Sequence, residues 1–253
     1  MQVTFVGAGP GDKELITVKG MNCLKKADVI IYAGSLVNPV LLEYAKENAD
    51  IHNSASMTLD EVIEVTDKAV KDGKYVVRLH TGDPSIYGAI REQMDRLDEL
   101  GITYEVVPGV SSFLASAAAL KKEFTLPEVS QTVIITRQEG RTPVPEKEKL
   151  ASLASHGATM CIFLSVQMIE DVMKELLSGG AYNEETPVAV VEKASWPEQK
   201  IYRGTIATIG NILKKANVER TAMIMVGGFL GDDYELSRLY ANDFTHMFRE
   251  AKA

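Results

Sequence analysis

The chain has 253 residues, 45% hydrophobic and 25% charged, a balance that excludes fibrous and disordered classes and suits one large or two modest globular domains. A formal net charge of −8, with no clustered Lys/Arg stripe, argues against nucleic acid and for a small-molecule ligand. The opening MQVTFVGAG has no basic leader and no apolar run nears the roughly 20 residues of a membrane span, while Cys23 and Cys161, outside any C-x-x-C spacing, read as reduced core thiols; a cytoplasmic protein without membrane insertion is expected.

Apolar, β-rich runs predict strands over 2–6, 29–32, 75–79, 104–107, 132–136, 159–164, 187–192 and 223–226. Most are separated by helical segments, the pattern of an α/β protein with mainly parallel sheets. Thr58-x-x-Glu61 is a capping box that starts the helix leading to Asp72-Gly73. Ser165 is placed to cap a later helix, which carries Ile169, Val172, Met173 and Leu176 at helical spacing and ends at Ser178-Gly179-Gly180. The polar connection KKEFTLPEVSQ, 121–131, marks a boundary between an N-terminal α/β domain, 1–121, and a C-terminal one, 122–253. After Gly204 come another helix, a strand and an acidic, aromatic tail from Asp232.

The segment YVVRLHTGDPSIYG, 75–88, holds the main ligand signal. A strand stops at Gly82-Asp83-Pro84 and a helix start follows, as where a parallel sheet binds small ligands beyond the carboxyl ends of its strands. Asp83 and Pro84 equally suit a helix cap and first turn. VTFVGAGPGD at the N-terminus places Gly7 and Gly9 after a strand, but Asp12 stands where a dinucleotide fingerprint needs its third glycine, and Pro10 lacks an N–H. NAD and FAD chemistry is therefore disfavoured.

In YEVVPGVSSFLASAAAL, 104–120, a strand again stops at Pro-Gly and a helix opens with Ser111 and Ser112, whose hydroxyl and N–H groups suit a carboxylate or ribose. Phe113 occupies the last glycine position of a nucleophile elbow, which speaks against serine hydrolysis. His52, His80, His156 and His246 show no metal-ligand spacing, and no protein metal site is expected. His80, beside Thr81-Gly82-Asp83, is a candidate base or an orienting group.

GAGPGD (7–12), LITVKG (15–20), TGDPSIYG (81–88) and VVPGVSS (106–112) occur in the order and spacing of the tetrapyrrole methylases that use S-adenosylmethionine, and the chain resembles that family over nearly its whole length. YAGSLV (32–37), LPEVSQTVIITR (126–137), EGRTPVPE (139–146) and HGATMCIFLS (156–165) resemble the members that methylate precorrin-4 or cobalt-precorrin-4 at ring carbon eleven in cobalamin biosynthesis. The resemblance implies two α/β domains with the cofactor in the cleft between them, and a homodimer. It places S-adenosylmethionine, whose product is S-adenosylhomocysteine, against Pro10, Gly82, Asp83, Ile86, Ser111, Ser112 and Phe113 of the first domain. From the second domain it adds Phe163, Leu164, Ala189, Thr221, Ala222 and Met223.

A sulfonium methyl needs alignment and a dry site more than a triad or metal, so Asp83 serves either as its anion or, preferably, as the residue that orders the cofactor loop. A precorrin carries many carboxylates while the chain is net negative, which makes Arg137, Arg141, Lys193 and Arg203 candidates for a substrate clamp. Alternatives are a methylase of the same fold acting on another ring carbon or a protein side chain, and a nucleoside sensor without turnover.

Overall fold

Val3–Gly7 (β1) is apolar at both side-chain orientations apart from Thr4, and it is buried along its length. That pattern belongs to an inner strand of a parallel sheet covered on both faces. β2 (Val29–Tyr32), β3 (Asp50–Asn53), β4 (Val76–His80) and β5 (Tyr104–Val107) complete this sheet in the order β3-β2-β4-β1-β5, every neighbour parallel. The computed structural model describes residues 2–237 and 241–251. Met1, residues 238–240 and residues 252–253, which belong to the two expected domains and in part to the tail from Asp232, lie outside the described residues.

The chain groups into two compact units: Met1–Ser116 with Lys193–Gln199, and Ala117–Glu192 with Lys200–Ala253. In unit 1, alternate residues of the strands feed two cores. Val6, Ile30, Val77 and Leu79 pack with Leu24 of α1 (Val18–Lys26) on one face. Val3, Phe5, Ile31 and Val76 pack on the other with Val62 and Ile63 of α2 (Leu59–Lys71) and Leu97 of α3 (Ile90–Glu99). Each such aliphatic side chain contributes about 1.5–3 kcal/mol by leaving water. The capping box of α2 is formed as expected, Glu61 N donating to Thr58 Oγ1 and Thr58 N to Glu61 Oε2.

Unit 2 is built on β6 (Val133–Arg137), β7 (Thr159–Phe163), β8 (Pro187–Glu192), β9 (Lys200–Thr205) and β10 (Ala222–Val226), in the order β6-β7-β10-β8-β9. Only β6 and β7 run parallel within it, so this sheet is mixed; across both sheets five of the eight described pairings are parallel. Met160, Ile162, Val190 and Ile224 from these strands pack against Val172 and Leu176 of α6 (Ile169–Ser178) and Ile209 and Leu213 of α7 (Ile209–Ala216). Leu150 and Ala154 of the short α5 (Leu150–Ala154) join the same core. α4 (Ser112–Leu120) contains the division between the units in the sequence.

Three local expectations are corrected. The helix after Asp83-Pro84 starts only at Ile90, because the intervening residues form an irregular turn in which Tyr87 and Ala89 take left-handed φ of 55° and 48°. Ser165 does not cap α6 with its side chain; its hydroxyl accepts from Gln138 N at 2.8 Å and donates to Phe163 O, and a short 3-10 turn leads into the helix instead. β3 and β9 were not predicted: both are edge strands with exposed, polar-rich sequences, DIHN and KIYRGT, held by one neighbour each.

Candidate functional site

Three strand ends of unit 1 converge on glycines. A Cβ on Gly7, the last residue of β1, would lie 2.5 Å from Gly109 N and 2.7 Å from Gly82 O, and one on Gly109 would lie 2.1 Å from Gly82 O. Only hydrogen fits at these positions, so the exits of β1, β4 and β5 can touch backbone to backbone. Gly9 and Gly82 form an antiparallel bridge, Gly82 N donating to Gly9 O at 2.9 Å and Gly9 N to Gly82 O at 3.2 Å, with both residues at positive φ. The Asp83 carboxylate fastens the third loop: Oδ2 accepts from Gly109 N at 2.9 Å and Oδ1 from Ser85 N at 2.8 Å.

Of the residues named for the first domain, this arrangement brings together Pro10, Gly82, Asp83 and Ser111. Gly82 would set a Cβ 3.6 Å from Ser111 Cα, at the entry to α4. Ser111 is buried, Ser112 and Phe113 open the helix half-buried, and Ile86 lies half-buried in the turn after Asp83. That turn is held from below. Arg78 on β4 donates through Nε to Gln93 Oε1 at 3.0 Å, and Gln93 Nε2 donates to Ala89 O at 3.0 Å, the left-handed residue ahead of α3. Burial lowers Arg78 to about 10, which still leaves it a cation at neutral pH.

His80, the other catalytic candidate, is buried beside Phe5, with Nε2 lacking a hydrogen-bond partner. Burial, and then the Arg78 cation, push it down to about 3, so the ring is neutral and a poor proton acceptor.

Sequence reading missed two side chains here. Trp196 Nε1 donates to Pro10 O at 2.8 Å, and Asp12 N donates to Ser195 Oγ at 3.0 Å. Trp196 is the only tryptophan of the chain, which was the one available signal. Its segment Lys193–Gln199 counts with unit 1 and has left-handed φ at Lys193 and Ser195, 49° and 67°. Such strain in non-glycine residues collects at functional sites. Lys193, a clamp candidate, sets its Nζ 5.8 Å from the Trp196 ring centre.

The remaining candidates belong to unit 2. Phe163 and Leu164 end β7 and follow it, Ala222 and Met223 begin β10, and the Ile224–Ile162 pairing sets these two ends side by side. Leu164 and Thr221 are both left-handed, φ 54° each, and Leu164 is 63% exposed, unusual for a large apolar residue in a strained position. Ala189 is buried on β8 opposite Arg203. Arg203 is exposed and donates to Leu120 O at 3.4 Å. The Arg137 guanidinium donates to Thr142 O at 3.1 Å and Pro143 O at 2.9 Å, bracing the loop that carries exposed Arg141.

The family model of the tetrapyrrole (corrin/porphyrin) methylases matches residues 2–210. The chain belongs to this family. Among curated relatives, a protein of Methanocaldococcus jannaschii named cobalt-precorrin-4 C(11)-methyltransferase is 61% identical over 99% of this methylase and 96% of its own length. A solved cobalt-precorrin-4 methyltransferase described as a cobalamin biosynthetic enzyme is 47% identical, with a TM-score of 0.89 over 91% of this chain and 96% of that one. A uroporphyrin-III C-methyltransferase of Thermus thermophilus, solved with S-adenosylhomocysteine, is 27% identical with a TM-score of 0.76, covering 91% and 99%. The methylase has no helix, among the described residues, long and apolar enough to cross a membrane, and no described group of three or more His, Cys, Asp or Glu placed to hold a metal ion. Cys23 and Cys161 are buried free thiols, as expected.

Proposed function

We infer that this methylase is an S-adenosylmethionine-dependent methyltransferase that methylates ring carbon eleven of precorrin-4 or cobalt-precorrin-4 in cobalamin biosynthesis. The observation that carries the reading is the 61% identity, over 99% of the chain, to the archaeal cobalt-precorrin-4 C(11)-methyltransferase. The cofactor is supported by the relative solved with S-adenosylhomocysteine and by the glycine cradle of unit 1, where Gly7, Gly82 and Gly109 clear side chains from the strand ends. A cytoplasmic homodimer is the form this reading takes, on the strength of the family resemblance.

The residues fit such a ligand. Gly82, Pro10 and Ser111 offer backbone at close approach, and the entry of α4 carries the positive end of a helix dipole that suits the methionine carboxylate. When bound, S-adenosylmethionine supplies a methyl group on a sulfonium sulfur already activated for displacement. Asp83 spends both carboxylate oxygens on backbone N–H groups, so its part is to hold the Gly82 and Gly109 loops in register. Pro10, Ile86, Ser112 and Phe113 are proposed to complete the first-unit surface, and Phe163, Leu164, Ala189, Thr221, Ala222 and Met223 remain proposed on the resemblance. Arg137, Arg141, Lys193 and Arg203 are proposed for the substrate carboxylates.

The test is incubation of the purified protein with S-adenosylmethionine labelled at its methyl carbon and with precorrin-4 and cobalt-precorrin-4 in separate reactions. The expected product is one methyl heavier, labelled at a quaternary carbon eleven, with an equal amount of S-adenosylhomocysteine. Label at another carbon would assign a different methylase of the same fold, and binding without any label transfer would assign a nucleoside sensor.

A further inference from the structure

We propose that Trp196 is a positioning residue for the Gly9–Asp12 loop, holding it in the conformation that receives the cofactor. This rests on the reading that S-adenosylmethionine binds at this loop. Three contacts in unit 1 support it. The indole Nε1 donates to Pro10 O at 2.8 Å, which fixes the carbonyl of a residue whose own nitrogen has no hydrogen to donate. A Cβ on Gly11 would fall 2.0 Å from Trp196 Cδ1 and 2.2 Å from Nε1, so the ring lies directly against the Gly11 backbone. Asp12 N donates to Ser195 Oγ at 3.0 Å, the next anchor along the loop.

The supporting segment is itself preset. Ser195 N donates to Gln199 Oε1 at 2.7 Å, and Lys193 and Ser195 hold left-handed backbone that neither residue type favours. Lys193 Nζ stands 5.8 Å from the indole centre, adding a cation to the ring. Gly11 therefore answers to the tryptophan and not to a phosphate, which accounts for a third glycine in GAGPGD outside any dinucleotide fingerprint. Gly9 is bridged to Gly82 and Asp12 N is bonded to Ser195 Oγ, so the loop is held at both ends, with Trp196 fixing Pro10 and Gly11 between them.

As the sole tryptophan, Trp196 also reports on the loop through its own fluorescence. The experiment compares the parent, W196F, W196A and G11A by calorimetric titration with S-adenosylhomocysteine and thermal unfolding, and the parent and G11A, which keep the indole, also by tryptophan emission. W196F keeps a ring but loses the donated hydrogen bond, and its Kd should rise about three- to tenfold. W196A should rise more. G11A keeps the tryptophan in the sequence but its methyl displaces the indole from Gly11, so it should weaken binding and shift the emission of the unliganded protein. In steady state the KM for S-adenosylmethionine should rise in all three while kcat at saturation holds, a split that a loss of fold would not produce. Parent binding with W196F and G11A both folded and within twofold of the parent Kd would overturn the proposal, whether or not W196A folds. A parent that binds no S-adenosylhomocysteine would instead overturn the cofactor reading, and this inference with it.

Discussion

The Asp83 carboxylate joins two strand exits, Oδ2 accepting the Gly109 N–H at 2.9 Å while Oδ1 accepts the N–H of Ser85 at 2.8 Å. Hydrogen bonds to an ionised acceptor are worth about 1.5–3 kcal/mol when one partner is removed. D83A is therefore expected to lower the melting temperature and to weaken S-adenosylhomocysteine binding at least tenfold, with D83N, which keeps one acceptor oxygen, in between. Calorimetry and thermal unfolding check this; unchanged affinity in a folded D83A would take Asp83 out of the site.

The glycines of unit 1 differ in what they exclude. G109A would set a methyl 2.1 Å from Gly82 O and 2.8 Å from Gly7 Cα, all backbone, so no side chain can move aside. It is expected to cost several kcal/mol, of the order of the worst core substitutions, and to abolish cofactor binding. Gly73, after α2, has φ +71° with nothing within 4 Å of a Cβ, and G73A should cost only the left-handed strain, about 1–2 kcal/mol, with binding intact. Urea unfolding of both variants gives the comparison, and equal losses would contradict it.

How far the fold was legible follows from where its information lies. β2, β5 and β8 have the predicted bounds because short apolar runs between polar turns announce strands, largely buried in β2 and β8 and, in β5, at a sheet edge that still keeps Val107 inside. β3 and β9 lacked that signal, since a strand paired on one side can be polar almost throughout. The pairing of TGDP with PGVSS at one sheet edge was readable, because parallel strands must deliver their exits to the same side. The late start of α3 was not, for Tyr87 and Ala89 are left-handed though neither residue type favours that conformation, and the Arg78–Gln93 pair that bonds the Ala89 carbonyl is assembled only by the fold. Trp196 escaped for the same reason: 185 residues separate it from Gly11, and only tertiary contact sets the ring against that glycine.

His80 predicts an acid sensitivity. Its ordinary value of 6.5 applies in the unfolded chain, whereas the folded protein holds it neutral down to about 3. Between these values the unfolded state binds the extra proton, so stability falls as pH drops through 6.5 toward 3 and is unaffected above that window. The slope is at most about 1.4 kcal/mol per pH unit. H80L replaces a ring whose Nε2 has no partner, and its urea midpoint should depend less on pH between 4 and 6.5 than that of the parent. Parallel pH dependences in the two proteins would show that His80 titrates normally.

Substrate charge gives the last test. A precorrin bears many acetate and propionate carboxylates and the protein has a formal charge of −8, so attraction must come from local cations and not from the overall field. Arg141 is exposed on a loop whose Thr142 and Pro143 carbonyls accept from the Arg137 guanidinium, so Arg137 shapes the loop and Arg141 is the charge it displays. R141A should raise the KM for the tetrapyrrole severalfold at low ionic strength and progressively less above about 0.1 M salt, where the screening length falls to about 10 Å. R137K keeps the charge but not the planar fork that serves both carbonyls, and should raise the KM at low and high salt alike. Binding of S-adenosylhomocysteine should be unmoved in either variant. A KM equal to that of the parent for R141A at every salt concentration would remove this loop from substrate recognition.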